Sequence, residues 1–178
     1  VVQGRFSPQV GDFIQNFPEN WFEEFVLARE FGVSHIEWID GAPNQKFSVL
    51  TSLTEAPPIT PISAVCLDGL VKLDLQRIEQ INEYITLIAN KAKDLKIKKI
   101  VLPLLEFSSL NKSKNTKKYN QFRELLSGLS KSYSELTFSI ETDLNFYDLE
   151  KFLKDLEKVK ITFDTGNLTK LGYSLHAH

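Results

Sequence analysis

The run Thr137–Asn167, TFSIETDLNFYDLEKFLKDLEKVKITFDTGN, changes its hydrophobic period twice. Alternation over Thr137–Glu141 and again over Lys160–Asp164 predicts two short strands, and the 3.6-residue pattern between them predicts an amphipathic helix. Phe138 and Ile140 share one face of the first strand, with Thr137, Ser139 and Glu141 opposite. Ile161 and Phe163 share one face of the second, with Lys160, Thr162 and Asp164 opposite. A short crossover makes such strands parallel neighbours. Glu141 and Asp164 would then stand side by side at the carboxyl ends, where parallel α/β sheets and barrels place their chemistry.

The same pattern recurs along the chain. Val1–Phe6 reads as a strand, followed by a loop with Pro8 and Gly11. Pro18, Glu19 and Asn20 open a helix over Trp21–Phe31, with Trp21, Phe25 and Ala28 at helical spacing and Gly32 as its stop. Ser34–Ile39 is the second strand. Residues 40–58 read as loop with one helical turn near Phe47–Leu53, bounded by Pro43 and by Pro57 and Pro58. Ile62–Leu67 is the third strand and Asp74–Leu95 the strongest helix. Lys99–Leu104 is a fourth strand whose near-continuous apolar run predicts burial on both faces. Phe107–Lys118, rich in Ser, Asn and Lys, reads as a mobile surface loop, and Tyr119–Ser132 as a helix. Asn145 is the expected N-cap of the helix inside the opening run. From Thr165 a loop and the start of a sixth helix remain. Six strands alternating with helices predict a parallel α/β architecture.

Composition changes this picture little. Hydrophobic residues at 42% and charged residues at 25% are ordinary for a globular domain. A formal charge of −2 argues against a nucleic-acid partner. The single cysteine, Cys66, rules out an internal disulfide and fits a reducing compartment. No apolar run reaches the length of a membrane span and no signal peptide is evident, so a cytoplasmic location without membrane contact is expected. The chain has no methionine, which predicts a processed chain or a piece of something longer.

No glycine-rich phosphate loop follows the first strand; Gln3-Gly4-Arg5-Phe6-Ser7-Pro8 lacks dinucleotide-binding spacing, which leaves a barrel. That opening, then Phe17-Pro-Glu-Asn-Trp21 leading to Glu23 through Trp38, resembles the sugar phosphate isomerase/epimerase family. Ser63-Ala-Val-Cys66, Glu141-Thr-Asp-Leu and Phe163-Asp-Thr-Gly-Asn167, then Leu171-Gly-Tyr173, follow in that family's order. The resemblance implies a xylose-isomerase-like TIM barrel over residues 1–178, with about six of eight βα units present and the C-terminal ones missing. It also implies a divalent cation (Mn, Mg, Co or Zn) held by strand-end ligands, of which Glu141 and Asp164 match the first two. The strand-seven histidine and strand-eight glutamate are absent, so the ligand set is incomplete. Asn167 falls where relatives place a residue close to substrate.

The implied chemistry is proton transfer on a sugar or polyol through an enediolate-type intermediate. Glu141 would be ligand and base, Asp164 a ligand; as plain strand-end residues both would instead cap a helix or close a turn. Glu106 could assist proton transfer or stand in water. Glu37, Arg5 and Gln3 could contact substrate; Glu37 could instead be an interior polar residue, and Arg5 could cover the barrel floor or pair with an acid. His35 fits a core histidine, Cys66 a small buried apolar residue, Trp21 the core. Trp38 could stack on a sugar. His176 and His178, two apart at the chain end, fit a tail better than a metal site. A histidine-rich multi-zinc phosphodiesterase of the endonuclease-IV type matches poorly, with three histidines in the chain. A catalytically silent scaffold is the remaining alternative. Its open outer strands could pair two copies as a homodimer.

Overall fold

Residues 1–6, 20–41, 50, 53, 59–114, 116–170 and 172 are described by the computed structural model. The readings on Pro8, Gly11, Pro18, Glu19, Pro43, Phe47, Pro57, Pro58, Leu171, Tyr173, His176 and His178 lie outside the described residues.

Among the described residues five parallel strands run in sequence order: β1 (Ile36–Ile39), β2 (Ile62–Cys66), β3 (Lys99–Leu104), β4 (Thr137–Thr142) and β5 (Val159–Ile161). Between them lie helices, as the alternating periods predict: α1 (Trp21–Glu30) before β1, α2 (Ile78–Asp94) before β3, α3 (Leu110–Ser113) and α4 (Lys117–Ser132) before β4, and α5 (Phe146–Leu153) before β5. Helix α6 (Thr165–Lys170) follows β5.

The central strand, β3, has the bounds its apolar run predicts and is buried from Ile100 to Leu104. Pro103 lacks the N–H that a central strand ordinarily donates. Here no bond is lost on the β2 side, because that ladder ends at the Cys66–Val101 pair and residue 103 lies beyond it. The Pro103 carbonyl instead accepts the Ser108 hydroxyl at 3.2 Å.

One face of the sheet carries Ile36, Trp38, Val65, Ile100, Leu102, Phe138, Ile140 and Val159, which pack with Phe25 of α1, Ile81, Ile85 and Ile88 of α2 and Phe122 and Leu126 of α4. Trp38 stacks on Phe25 with centroids 5.6 Å apart, so it belongs to the core and not to a sugar platform. The other face carries Glu37, Ala64, Cys66, Val101, Ser139 and Glu141, in register across the strands. Small and polar side chains dominate it.

The N-terminal segment differs from the strand expected over Val1–Phe6. Val2 forms a single bridge to Glu37, with Glu37 N–H donating to Val1 O and Gln3 N–H to Glu37 O. Gly4 then turns the chain at φ +76°, a conformation glycine adopts without strain. The buried Gln3 side chain takes over the ladder, its Oε1 accepting the Ile39 N–H at 3.0 Å. The outer edge of β1 is therefore lined by this segment.

Residues 107–118, expected to be a mobile loop, hold a 3₁₀ turn (Glu106–Ser108), α3 and the start of α4. Their serine and threonine content is capping chemistry. The Ser109 hydroxyl accepts the Lys112 N–H and Thr116 Oγ1 that of Tyr119, while Ser108, Ser109 and Leu110 are buried. His35 is exposed, contrary to a core role.

Asn145 caps α5 as its position predicts, accepting the Asp148 N–H at 2.9 Å and donating to the Asp148 carboxylate at 2.8 Å. Asn145→Ala is expected to lower the unfolding free energy by about 1 kcal/mol, read as a lower urea midpoint at unchanged slope.

Candidate functional site

β4 and β5 run parallel with Ile140 opposite Ile161. The predicted second strand, Lys160–Asp164, is shorter than its alternation implies. Pairing stops at Ile161, although Thr162 N–H still reaches Ile140 O at 2.8 Å. Phe163, expected to share a face with Ile161, is 53% exposed. The reason is local. Asp164 turns back to cap α6, its Oδ1 accepting the Asn167 N–H at 2.9 Å, and this competes with continued sheet pairing. A side chain on Gly166 would bring its Cβ within 3.1 Å of that same Asp164 oxygen.

Asn167 joins the two carboxylates. Its backbone N–H serves Asp164, and its side-chain amide donates to Glu141 Oε1 at 2.6 Å. Behind Glu141, Ser139 and Thr162 hydroxyls meet at 2.7 Å, tying β4 to the start of the β5 turn. The cleft above holds a cavity of about 20 Å³, room for roughly one water. Glu141, Asp164 and Asn167 line one part of it, and Leu144, Phe146 and Phe163 another.

Burial raises the pKa of the half-buried Glu141, and repulsion from Asp164 raises it further; the Asn167 amide works in the opposite direction. Glu37 and Asp68 add weaker repulsion. Cys66, on the same face, is held as the neutral thiol by burial and by Glu141, Glu37 and Asp68. That makes it a poor nucleophile.

Asp68 is a residue the hydrophobic pattern alone does not single out. It opens the 3₁₀ turn Asp68–Lys72 after β2. Burial raises its pKa, Lys72 opposes this and Glu106 adds repulsion. The same strand-end rule that finds Glu106 and Glu141 would find it, two residues past Cys66. Glu106 itself is exposed, in a left-handed conformation at φ +52°. Asp40, at the end of β1, is buried and braced by Tyr84 of α2, whose hydroxyl donates to Asp40 Oδ1 at 2.6 Å. Burial and the Asp40 carboxylate hold the Tyr84 phenol well above its ordinary pKa.

The structure thus brings Glu141, Asp164 and Asn167 together, with Glu37 and Asp68 near enough to act on Glu141. Glu106 acts on Asp68. Gln3 is occupied at the sheet edge and Arg5 is exposed beyond the Gly4 turn. Two carboxylates and an amide are hard oxygen donors of the kind Mg²⁺ and Mn²⁺ accept, with water or substrate completing the shell. They are not the histidine- or thiolate-rich set of a zinc centre. Among the described residues no group of three or more His, Cys, Asp and Glu side chains converges as a ligand set. The fit is therefore to half of a cation site. No protein-family model matches the chain, and no characterised protein matches it at a significant level.

Proposed function

We propose that the chain is part of a (β/α)₈ barrel acting as a cation-assisted isomerase or epimerase on a sugar or polyol. The observation that carries this reading is the Glu141–Asn167–Asp164 bridge at the carboxyl ends of adjacent parallel strands. The small, polar second face of the sheet supports the barrel.

In this reading Glu141 and Asp164 hold the cation, which when bound polarises the substrate carbonyl. Glu141 would take the proton from the carbon beside that carbonyl, the C–H electron pair passing into the enediolate; the hydroxyl proton of that carbon would move to the former carbonyl oxygen as Glu141 returned its proton to the former carbonyl carbon. Asn167 fixes the carboxylate by its 2.6 Å bond. Phe146 and Phe163 flank the cleft as apolar surface for the C–H face of a polyol.

The test is calorimetric titration of Mn²⁺ into the chain and into Glu141→Gln and Asp164→Asn. Dissociation in the micromolar range, weakened at least about tenfold in each variant, is expected. Titration without heat, or heat unchanged by both substitutions, would remove the cation from the proposal.

One observation favours a second reading, a silent scaffold. The strand pairing among the described residues leaves β5 as an outer strand, with Phe163 exposed beside it. Edge pairing of two copies there would give a homodimer without metal binding.

A further inference from the structure

A second cleft, of about 650 Å³, lies between α4 and α5 and shares no lining residue with the Glu141 cleft. Its volume falls in the range of small-molecule sites. Among the described residues its walls carry four cationic side chains against two carboxylates, on a chain whose formal charge is −2.

Two of those cations hold the walls in place. Lys114 Nζ lies 2.6 Å from the Asp148 carboxylate, which Asn145 also engages. Arg123 donates from Nε to Phe152 O at 2.9 Å and from a terminal nitrogen to Lys154 O, pinning α4 to the C-terminal end of α5. The second carboxylate, Asp155, is 81% exposed and 3.8 Å from Arg123, so it neutralises little. These contacts leave Lys114 and Arg123 engaged with the walls.

Lys151 and Lys154, both exposed, supply the remaining positive charge. Beside them are two phenol rings. Tyr147 is 63% exposed with the Lys151 ammonium 4.0 Å from its ring centroid. Tyr119 is half-buried, its ring set edge-on to Phe152 at 5.1 Å. Two ammonium groups next to two phenols match a compact dianion attached to a flat ring. We propose that this cleft binds an aromatic phosphomonoester, with Lys151 and Lys154 taking the phosphate and Tyr147 and Tyr119 the ring. The proposal is independent of the Glu141 site.

The probes are phenyl phosphate, inorganic phosphate and phenol, titrated at low salt and followed by backbone amide shifts. Phenyl phosphate is expected to bind with a dissociation constant of about 1 mM or lower, with shifts confined to α4, α5 and their ends. It should bind about fivefold more tightly than inorganic phosphate, the increment of one aromatic contact. The double variant Lys151→Gln with Lys154→Gln should weaken both anions by about tenfold, and Tyr147→Ala should reduce the advantage of phenyl phosphate while leaving inorganic phosphate unchanged. All three side chains are exposed, so the fold is retained. No saturable shift up to about 10 mM, or affinities unchanged in the double variant, would overturn the site. Equal affinity for phenyl and inorganic phosphate would overturn the assignment of the ring.

Discussion

Glu141→Gln is expected to slow exchange of the substrate's carbon-bound hydrogen with deuterated solvent by about 10²–10⁴-fold, the range a positioned base contributes. Loss of a substrate C–H resonance by NMR, across a panel of ketoses and aldoses, measures this whatever product forms. Glutamine keeps an oxygen that can accept the Asn167 amide at the 2.6 Å position, so the variant removes the base and its charge while sparing the bridge. A variant that exchanges as fast as the parent would take Glu141 out of the proton path.

The same substitution has a signed effect on stability. Burial and the Asp164 carboxylate raise the pKa of Glu141 in the folded chain. The folded state therefore binds the proton more tightly than the unfolded one. This contribution is fully present below the unfolded value, near 4.3, and is lost as pH rises through the folded value. Glutamine cannot titrate, so the variant should gain stability relative to the parent between about pH 4 and pH 7. Urea midpoints at the two ends measure that gain. A parent that gains on the variant as pH rises would contradict the raised pKa. Activity follows the opposite course, falling as acid protonates the base.

Trp38→Ala is expected to lower the unfolding free energy by about 3–5 kcal/mol. Trp38 is 1% exposed, lies on the core face of β1 and stacks on Phe25 with ring planes 6° apart. Alanine leaves a void that Phe25, Ile36 and Val65 cannot fill without moving backbone. For a chain of this length that loss corresponds to a fall in melting temperature of roughly 6–20 °C. Trp21→Ala is the internal comparison. Trp21 packs against the same core from its rim, meeting Phe25 edge-on at 6.0 Å, and is only partly buried. Its loss should be clearly smaller. Equal losses at the two positions would mean that β1 does not anchor the core as its burial implies.

The elements were legible because periodicity is a short-range property. The β3 run KIVLPL declared a strand buried on both faces, and the Asn145 cap and the α2 stripe were equally readable. The strand-end rule also placed Glu141 and Asp164 near one another. Where local reading went astray, a side chain competed with the backbone for the same hydrogen bond. Asp164 left the β5 alternation to cap α6, Ser109 and Thr116 made helix ends of a supposed mobile loop, and the Gln3 amide replaced the backbone at the edge of β1.

From its hydrophobic pattern alone, the chain determined a parallel α/β order and the carboxylates that end its strands. Only the tertiary structure decided that Asn167 would bridge two of them, that Asp68 would join the same field, that Trp38 would be core, and that α4 and α5 would enclose a cationic cleft. The division has a physical cause. The positions of polar and apolar residues along a strand or helix set which side faces inward, within a few residues of each other. Which charges meet, and how far each is removed from water, depends on partners dozens of residues away that only the folded chain brings together.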